Sequence, residues 1–257
     1  MVAILAARAV KIGCLDPHDK NWDKLSVRLK KSNPYDRPVF GSFLNVDQKV
    51  YYGVMTDVNS PIFTVGHSTH ELESFIRLLR GHRITALADV RSRPFSRIPH
   101  FNREILATVL KTHGIKYLPL GKELGARRDE QECYVNGQAV YERVAILPLF
   151  RQGIDRVVEY ARDNVIALMC SEKEPLDCHR SVLICRHLRP YRPRISHILA
   201  DGGLEAHSET ERRLMKMMGV SPVQGDLFAD QEELIEQAYV ARGKQIAFRV
   251  ELQGVVE

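Results

Sequence analysis

Short apolar runs recur through the middle of the chain, with helical patterns between them. The runs are Ile62–Val65, Ile84–Val90, Ile115–Leu118, Val165–Met169 and Arg194–Leu199. The fourth is branched and free of charge, as a strand buried on both faces should be. Leu72, Phe75, Ile76 and Leu79 fall on one helical face, and residues 103–113 and 154–162 repeat that periodicity. Strands alternating with helices of this length predict parallel βαβ units. The expected fold is therefore α/β: a doubly wound, mostly parallel sheet with helices on both faces, followed by a helical C-terminal tail. Ser68 and Glu71 have the spacing of a capping box ahead of the first helix. The strand order is not legible.

Three segments differ in character. Residues 1–54 carry Asp-Pro, Asn-Pro and Arg-Pro steps and little periodicity, and read as an N-terminal extension of weak order. They hold nine Lys and Arg against five Asp, so four of the five net positive charges lie there. Either a start upstream of Met55 or a genuine appended subdomain would account for them. Residues 55–205 form the α/β domain, with a polar insertion from Glu123 to Ala145 that reads as helix and loop. Residues 206–257 form a tail with helical patterns over 209–218 and 231–241. No apolar stretch reaches the roughly 20 residues needed to span a bilayer, and the first residues make a poor signal peptide. The five cysteines (Cys14, Cys133, Cys170, Cys178 and Cys185) are odd in number and scattered. That fits a reduced, cytoplasmic setting better than a disulfide framework.

Three of the strands end in polar residues, and a parallel sheet brings such ends to one edge, where ligands bind. The first ends in Gly66-His67-Ser68. The second ends in Asp89-Val-Arg91-Ser92, followed by Arg93. The fourth runs into Cys170-Ser-Glu172 and then Asp177-Cys178-His179-Arg180. Partial burial past a strand end would raise the pKa of Glu172 toward useful acid/base values. With Asp177 as N-cap, Cys178 would sit in the first helical turn, as a nucleophile or, on the favoured reading, a small packed residue. His179 and Arg180 would join the free amides there in an anion cradle. Arg180 bracing Glu172 is the plainer role. His67 is either a proton shuttle or a partner of Asp89, and Asp89 with Arg91 has the makings of an internal ion pair. The spacing Cys-x7-Cys-His lacks the close pairs of structural zinc sites, so neither a metal nor a cofactor is expected. The stretch 91–97, together with Lys122, Arg127 and Arg128, is basic and interleaved with an aromatic, which suits a phosphodiester backbone.

The motifs Phe63-Thr-Val-Gly66-His67-Ser68, Asp89-Val-Arg91-Ser92-x-Pro94, Leu120-Gly-x-Glu-Leu124-Gly125 and Cys170-x-Glu172 with Cys178-His179-Arg180 resemble, in this order, domain-of-unknown-function family 488. The resemblance covers about Pro61 to Gly203 and implies a fold and a site location more firmly than a reaction. In the tail, Gln224-Gly-Asp-Leu227-Phe228 looks like the pentapeptide by which bacterial polymerases and repair proteins dock on the sliding clamp.

The leading expectation is a DNA-directed enzyme of repair or modified-base processing, with DNA and the sliding clamp as partners. Glu172 would assist cleavage at a glycosidic carbon, with His67 or His179 moving protons and Ser68, Asp89, Arg91, Ser92, Arg93 and Arg180 holding substrate. A small-molecule enzyme acting on a nucleotide-like substrate through Cys178, and a non-catalytic binding module, are the alternatives.

Overall fold

The computed structural model describes residues 60–220 and 231–250. The segment 1–54 and the peptide Gln224–Phe228 lie outside the described residues. A six-stranded sheet dominates. Its strands are β1 (Ile62–Gly66), β2 (Ala86–Asp89), β3 (Lys116–Pro119), β6 (Ile166–Cys170), β7 (Ile195–Ile198) and β8 (Leu204–Ala206), in the order β3-β2-β6-β1-β7-β8. All pairs are parallel except β7 with β8.

Alternation along the strands feeds two cores. Phe63, Val65, Leu87, Ala167 and Met169 face one side, where α1 (Leu72–Gly81) contributes Phe75, Ile76 and Leu79 and α2 (Arg103–Thr112) contributes Leu106 and Leu110. Ile62, Ala86, Ala88, Ile166 and Leu168 face the other. That side is covered mainly by the long helix Pro148–Asp163, by a π-helical segment Arg180–Cys185, and by the helices His207–Met218 and Gln231–Ile246. Each fully buried Leu, Ile or Phe adds about 1.5–3 kcal/mol to such layers.

This arrangement locates a crevice. The helices after β1 and β2 lie on one face, and the π-helical segment after β6 lies on the other. β6 sits between β1 and β2, so connections diverge to opposite faces at its carboxyl end. Doubly wound sheets bind ligands at such switch points. Here it falls at Cys170, which pairs with Gly66.

Three local expectations need correction. Glu71, not Ser68, precedes α1, and no side-chain cap forms. Ser68 adopts a left-handed φ of 45° and its N–H donates to the Ser171 carbonyl at 3.0 Å, so it ties β1 to the next strand's turn instead. Asp177 does not cap a helix. It ends a 3-10 turn (Pro175–Asp177) and pairs with Arg242. Cys178 is extended, and its carbonyl receives the N–H groups of Ser181 and Val182. The insertion after residue 123 contains a two-stranded hairpin, β4 (Tyr134–Val135) and β5 (Gln138–Ala139). Its Asn136-Gly137 turn has both residues at positive φ, as a type I′ hairpin turn requires.

Candidate functional site

The site begins where β6 ends. Gly66 lies beside Cys170, and the chain leaving β6 passes so close over it that a Cβ there would sit 1.9 Å from the Glu172 carbonyl oxygen. Only glycine permits that crossing. Beneath the turn, Arg180 is fully buried. Its guanidinium donates to the carbonyls of Glu172 at 2.6 Å and Lys173 at 3.1 Å, and to the Thr64 hydroxyl at 3.4 Å. Its donors are spent on the protein, so Arg180 fixes the backbone under Glu172 and does not face a substrate phosphate. The π-helical winding, rare and often found at functional sites, starts at this residue.

Four reactive groups meet above that clamp. The ligand-capable atoms of Cys170, Glu172, Cys178 and His179 all lie within 4.8 Å of one another. The Cys178 thiol donates to a Glu172 carboxylate oxygen at 3.0 Å. Nδ1 of His179 lies 3.6 Å from Cys170 Sγ and 3.9 Å from Cys178 Sγ. Its Nε2 is 3.0 Å from the Val90 carbonyl oxygen. The Arg180 N–H points at Cys178 Sγ from 3.4 Å. Cys170, Cys178 and His179 are buried, whereas Glu172 is exposed. Although the residue is exposed overall, its carboxyl turns into the cluster against Cys178, and that partial desolvation, then the charge of Cys178, push it above its ordinary range. Burial also raises the Cys170 thiol. For Cys178, burial acts upward, but the hydrogen bond from Cys170 and the charges of Arg180 and His179 prevail and hold it low.

The end of β2 forms the adjoining wall. Asp89 accepts from the Arg91 backbone N–H (3.1 Å), from Arg91 Nε (2.9 Å) and Nη2 (2.6 Å), and from the Tyr117 hydroxyl (2.7 Å). Both members of the ion pair are buried. Arg91 Nη1 donates to His67 Nε2 at 3.3 Å, and His67 Nδ1 donates to the Ser68 carbonyl at 3.0 Å. His67 stacks on Phe101 at 4.2 Å. Burial, then the Arg91 charge, lower its pKa to about 4. A neutral imidazole committed on both nitrogens orients Arg91 and is not a free proton shuttle; its contact is with Arg91 rather than Asp89.

Beyond Arg91 opens a cleft of about 950 Å³. Arg93, Arg103, Lys122 and Arg127 line it, together with Tyr117, Tyr134 and Phe248. Among the described residues, Arg93, Arg103 and Lys122 have no carboxylate partner within ion-pair distance. Arg127 lies over the Phe248 ring at 4.6 Å. Arg128 is different: it is buried and spent on Glu130 and on the carbonyls of Lys122 and Glu123. Ser92 accepts the Arg127 N–H at 2.9 Å, and a Cβ at Gly121 would meet the Arg91 carbonyl oxygen at 2.0 Å. The Leu120-Gly121 motif is thus the floor on which the Arg91-Ser92 loop rests.

All four motifs pack into one unit, and one family matches this stretch. The model of "Domain of unknown function DUF488" matches residues 71–186. Residues 71–186 are thus similar to the DUF488 family. No curated protein and no solved structure matches the chain. The DUF488 segment contains the Asp89-Arg91 pair, the Gly121 floor and the whole Cys170–Arg180 turn, while Gly66-His67-Ser68 precedes it. Of the residues expected at the site, Glu172, Cys178 and His179 converge, and Arg91, Ser92 and Arg93 flank them at the cleft. Ser68, Asp89, His67 and Arg180 serve as supports. Tyr117 and Arg103 were not foreseen. Tyr117 follows Lys116 at the edge of a strand, where its alternation could have marked it, but nothing in the sequence signals Arg103.

Proposed function

We propose that the protein is an enzyme acting on DNA, in repair or modified-base processing, with Glu172 as the reacting carboxylate. The cleft beside the β2 end is the observation that carries this reading. Its cations Arg93, Arg103 and Lys122 suit a phosphodiester backbone, and its aromatic rings suit bases. Phe95, 80% exposed on the same loop as Arg93, is a further stacking surface. Glu172, at the neighbouring strand end, would offset the positive charge that develops on a sugar carbon as an N-glycosidic bond breaks. The bond's electrons leave on the base, which takes a proton from solvent, and water supplies the hydroxyl that the sugar gains. Docking on the sliding clamp through Gln224, Leu227 and Phe228, and a cytoplasmic location, belong to the same proposal. No helix among the described residues is long and apolar enough to cross a membrane.

Fluorescence anisotropy with labelled single- and double-stranded DNA tests the reading, paired with turnover of duplexes carrying modified bases. Salt-sensitive binding that survives Glu172→Gln while turnover disappears is the expected result. Absence of salt-sensitive binding would overturn it. The second reading, a Cys178 nucleophile acting on a nucleotide-like small molecule, draws support from the low pKa direction of that thiol. Its burial to 1% exposure weighs against it, and alkylation that a nucleotide ligand blocks is the result that would favour it.

A further inference from the structure

We infer that Cys170, Cys178 and His179 hold a thiophilic divalent cation of the zinc class, with Glu172 at the fourth, solvent-facing position. The sequence argued against a metal because seven residues separate the two cysteines. The fold removes that objection: the 3-10 turn and the extended Cys178 bring the second sulfur back over the end of β6.

The geometry matches a tetrahedral site. Zinc bonds of about 2.3 Å to sulfur and 2.0–2.1 Å to nitrogen or oxygen make tetrahedral ligand-to-ligand edges of about 3.3–3.8 Å, with sulfur-to-nitrogen edges near 3.5 Å. The imidazole nitrogen lies 3.6 and 3.9 Å from the two sulfurs. The Cys178 to Glu172 edge, 3.0 Å as a hydrogen bond, lengthens once a metal replaces the shared proton.

The surroundings match as well. A carbonyl can only accept, so Nε2 of His179 carries the proton and Nδ1 turns its lone pair to the sulfurs. Histidines that bind metals are held in this way by a backbone carbonyl or a carboxylate. The Arg180 N–H supports the Cys178 sulfur. Two thiolates and a carboxylate packed together carry three negative charges, which a divalent ion and the buried Arg180 guanidinium would balance. Three ligands are buried and only Glu172 reaches solvent, so it is the ligand that water or substrate can displace. The bound state needs both thiols deprotonated and the imidazole neutral, so binding displaces protons from the cluster. The site shares Glu172 with the DNA reading, which needs that carboxylate released from the metal, but its test involves no nucleic acid, so either proposal can fail alone.

The test titrates the full-length, tag-free, reduced and chelator-stripped protein with cobalt(II) chloride. A thiolate-to-cobalt charge-transfer band rising to one ion per chain, bleached by zinc chloride, is expected. Cys170→Ser and Cys178→Ser should each abolish the band, and Glu172→Gln should keep it with affinity lowered roughly 10-fold or more. In the wild type, zinc should also slow alkylation of both thiols, a measurement that needs no variant to fold. A wild-type protein with native circular dichroism and no cobalt band, or a band that persists in both serine variants, overturns the inference.

Discussion

His179 Nε2 and the Val90 carbonyl oxygen, 89 residues apart in sequence, are joined by a 3.0 Å hydrogen bond. It ties the turn after β6 to the end of β2, next to Arg91. Through this bond the thiol and carboxylate cluster and the basic cleft share a wall.

His179→Phe keeps the ring volume but cannot donate to Val90. A buried carbonyl left without its partner costs about 1–3 kcal/mol. Urea denaturation should show a loss in that range, with His179→Gln losing less because its amide can still donate. Equal midpoints for wild type and His179→Phe would show that the bond contributes nothing.

Asp89 balances Arg91 in a site that solvent does not reach. Asp89→Asn leaves a buried guanidinium without its counter-charge, a change that typically costs about 3–5 kcal/mol. Tyr117→Phe removes only one of the donors to that carboxylate, at about 1 kcal/mol. Chemical denaturation of the two variants should separate them by at least about 2 kcal/mol; similar losses would mean that the pair's charge is not what matters.

Gly66 and Gly81 provide a controlled comparison. A Cβ at Gly66 would overlap the Glu172 carbonyl, whereas one at Gly81 meets nothing within 4 Å. Gly66→Ala must displace the Glu172 turn, costing about 1–3 kcal/mol or more and any Glu172-dependent turnover. Gly81→Ala, near the end of α1, should be neutral or stabilising by up to about 1 kcal/mol. Thermal melts of both proteins suffice, and comparable losses would refute the close-approach argument.

In the cleft, each cation that contacts a phosphate contributes about 0.9 to the slope of log affinity against log salt on duplex DNA. Arg93→Ala and Lys122→Ala should each shallow that slope by about that amount, whereas Arg128→Ala, whose guanidinium is spent internally, should change stability more than slope. A slope unmoved by either of the first two variants would place DNA elsewhere on the protein.

The sheet and the site's position were legible because period and polarity are local properties. Val165–Met169 could only be a buried strand, and polar residues at three strand ends had to meet on one edge of a parallel sheet. The roles were less legible because they depend on distance. Arg180 and Asp89 look like substrate contacts in sequence, yet both are consumed by partners 8 and 2 residues away. Cysteines spaced too far apart for a metal in sequence become neighbours because a single 3-10 turn folds the chain back. The Asn136-Gly137 hairpin, by contrast, carried a strong local signal within a stretch whose polarity suggested only helix and loop.

A buried hydrogen-bonded chain predicts how the protein responds to acid. Thr64 donates to His197 Nδ1 at 2.7 Å, His197 Nε2 lies 2.9 Å from His207 Nδ1, and His207 Nε2 is 3.0 Å from the Tyr239 hydroxyl, which donates to Glu211 at 2.9 Å. Every group is satisfied with both imidazoles neutral and all donors pointing one way. The charges facing the pair are those of Arg180, Arg213 and Cys178 toward His197, and of Arg189 and, at 3.7 Å, Glu211 toward His207. Burial first, then Arg189, lower His207 to about 4, and burial and His207 lower His197. A histidine whose pKa falls on folding stabilises the native state fully above its unfolded value of about 6.5, and that contribution drains as pH falls toward the folded value. The unfolded chain binds the extra proton throughout this window, so stability decreases with acidity. At pH 5, about 1.5 units below the unfolded value, His207 alone accounts for about 2 kcal/mol. Urea unfolding at pH 7.5 and pH 5 should show at least this loss in the wild type. His207→Gln should be less stable at pH 7.5, yet lose about 2 kcal/mol less between the two pH values. An undiminished pH dependence in that variant would show that His207 is not held neutral by the fold.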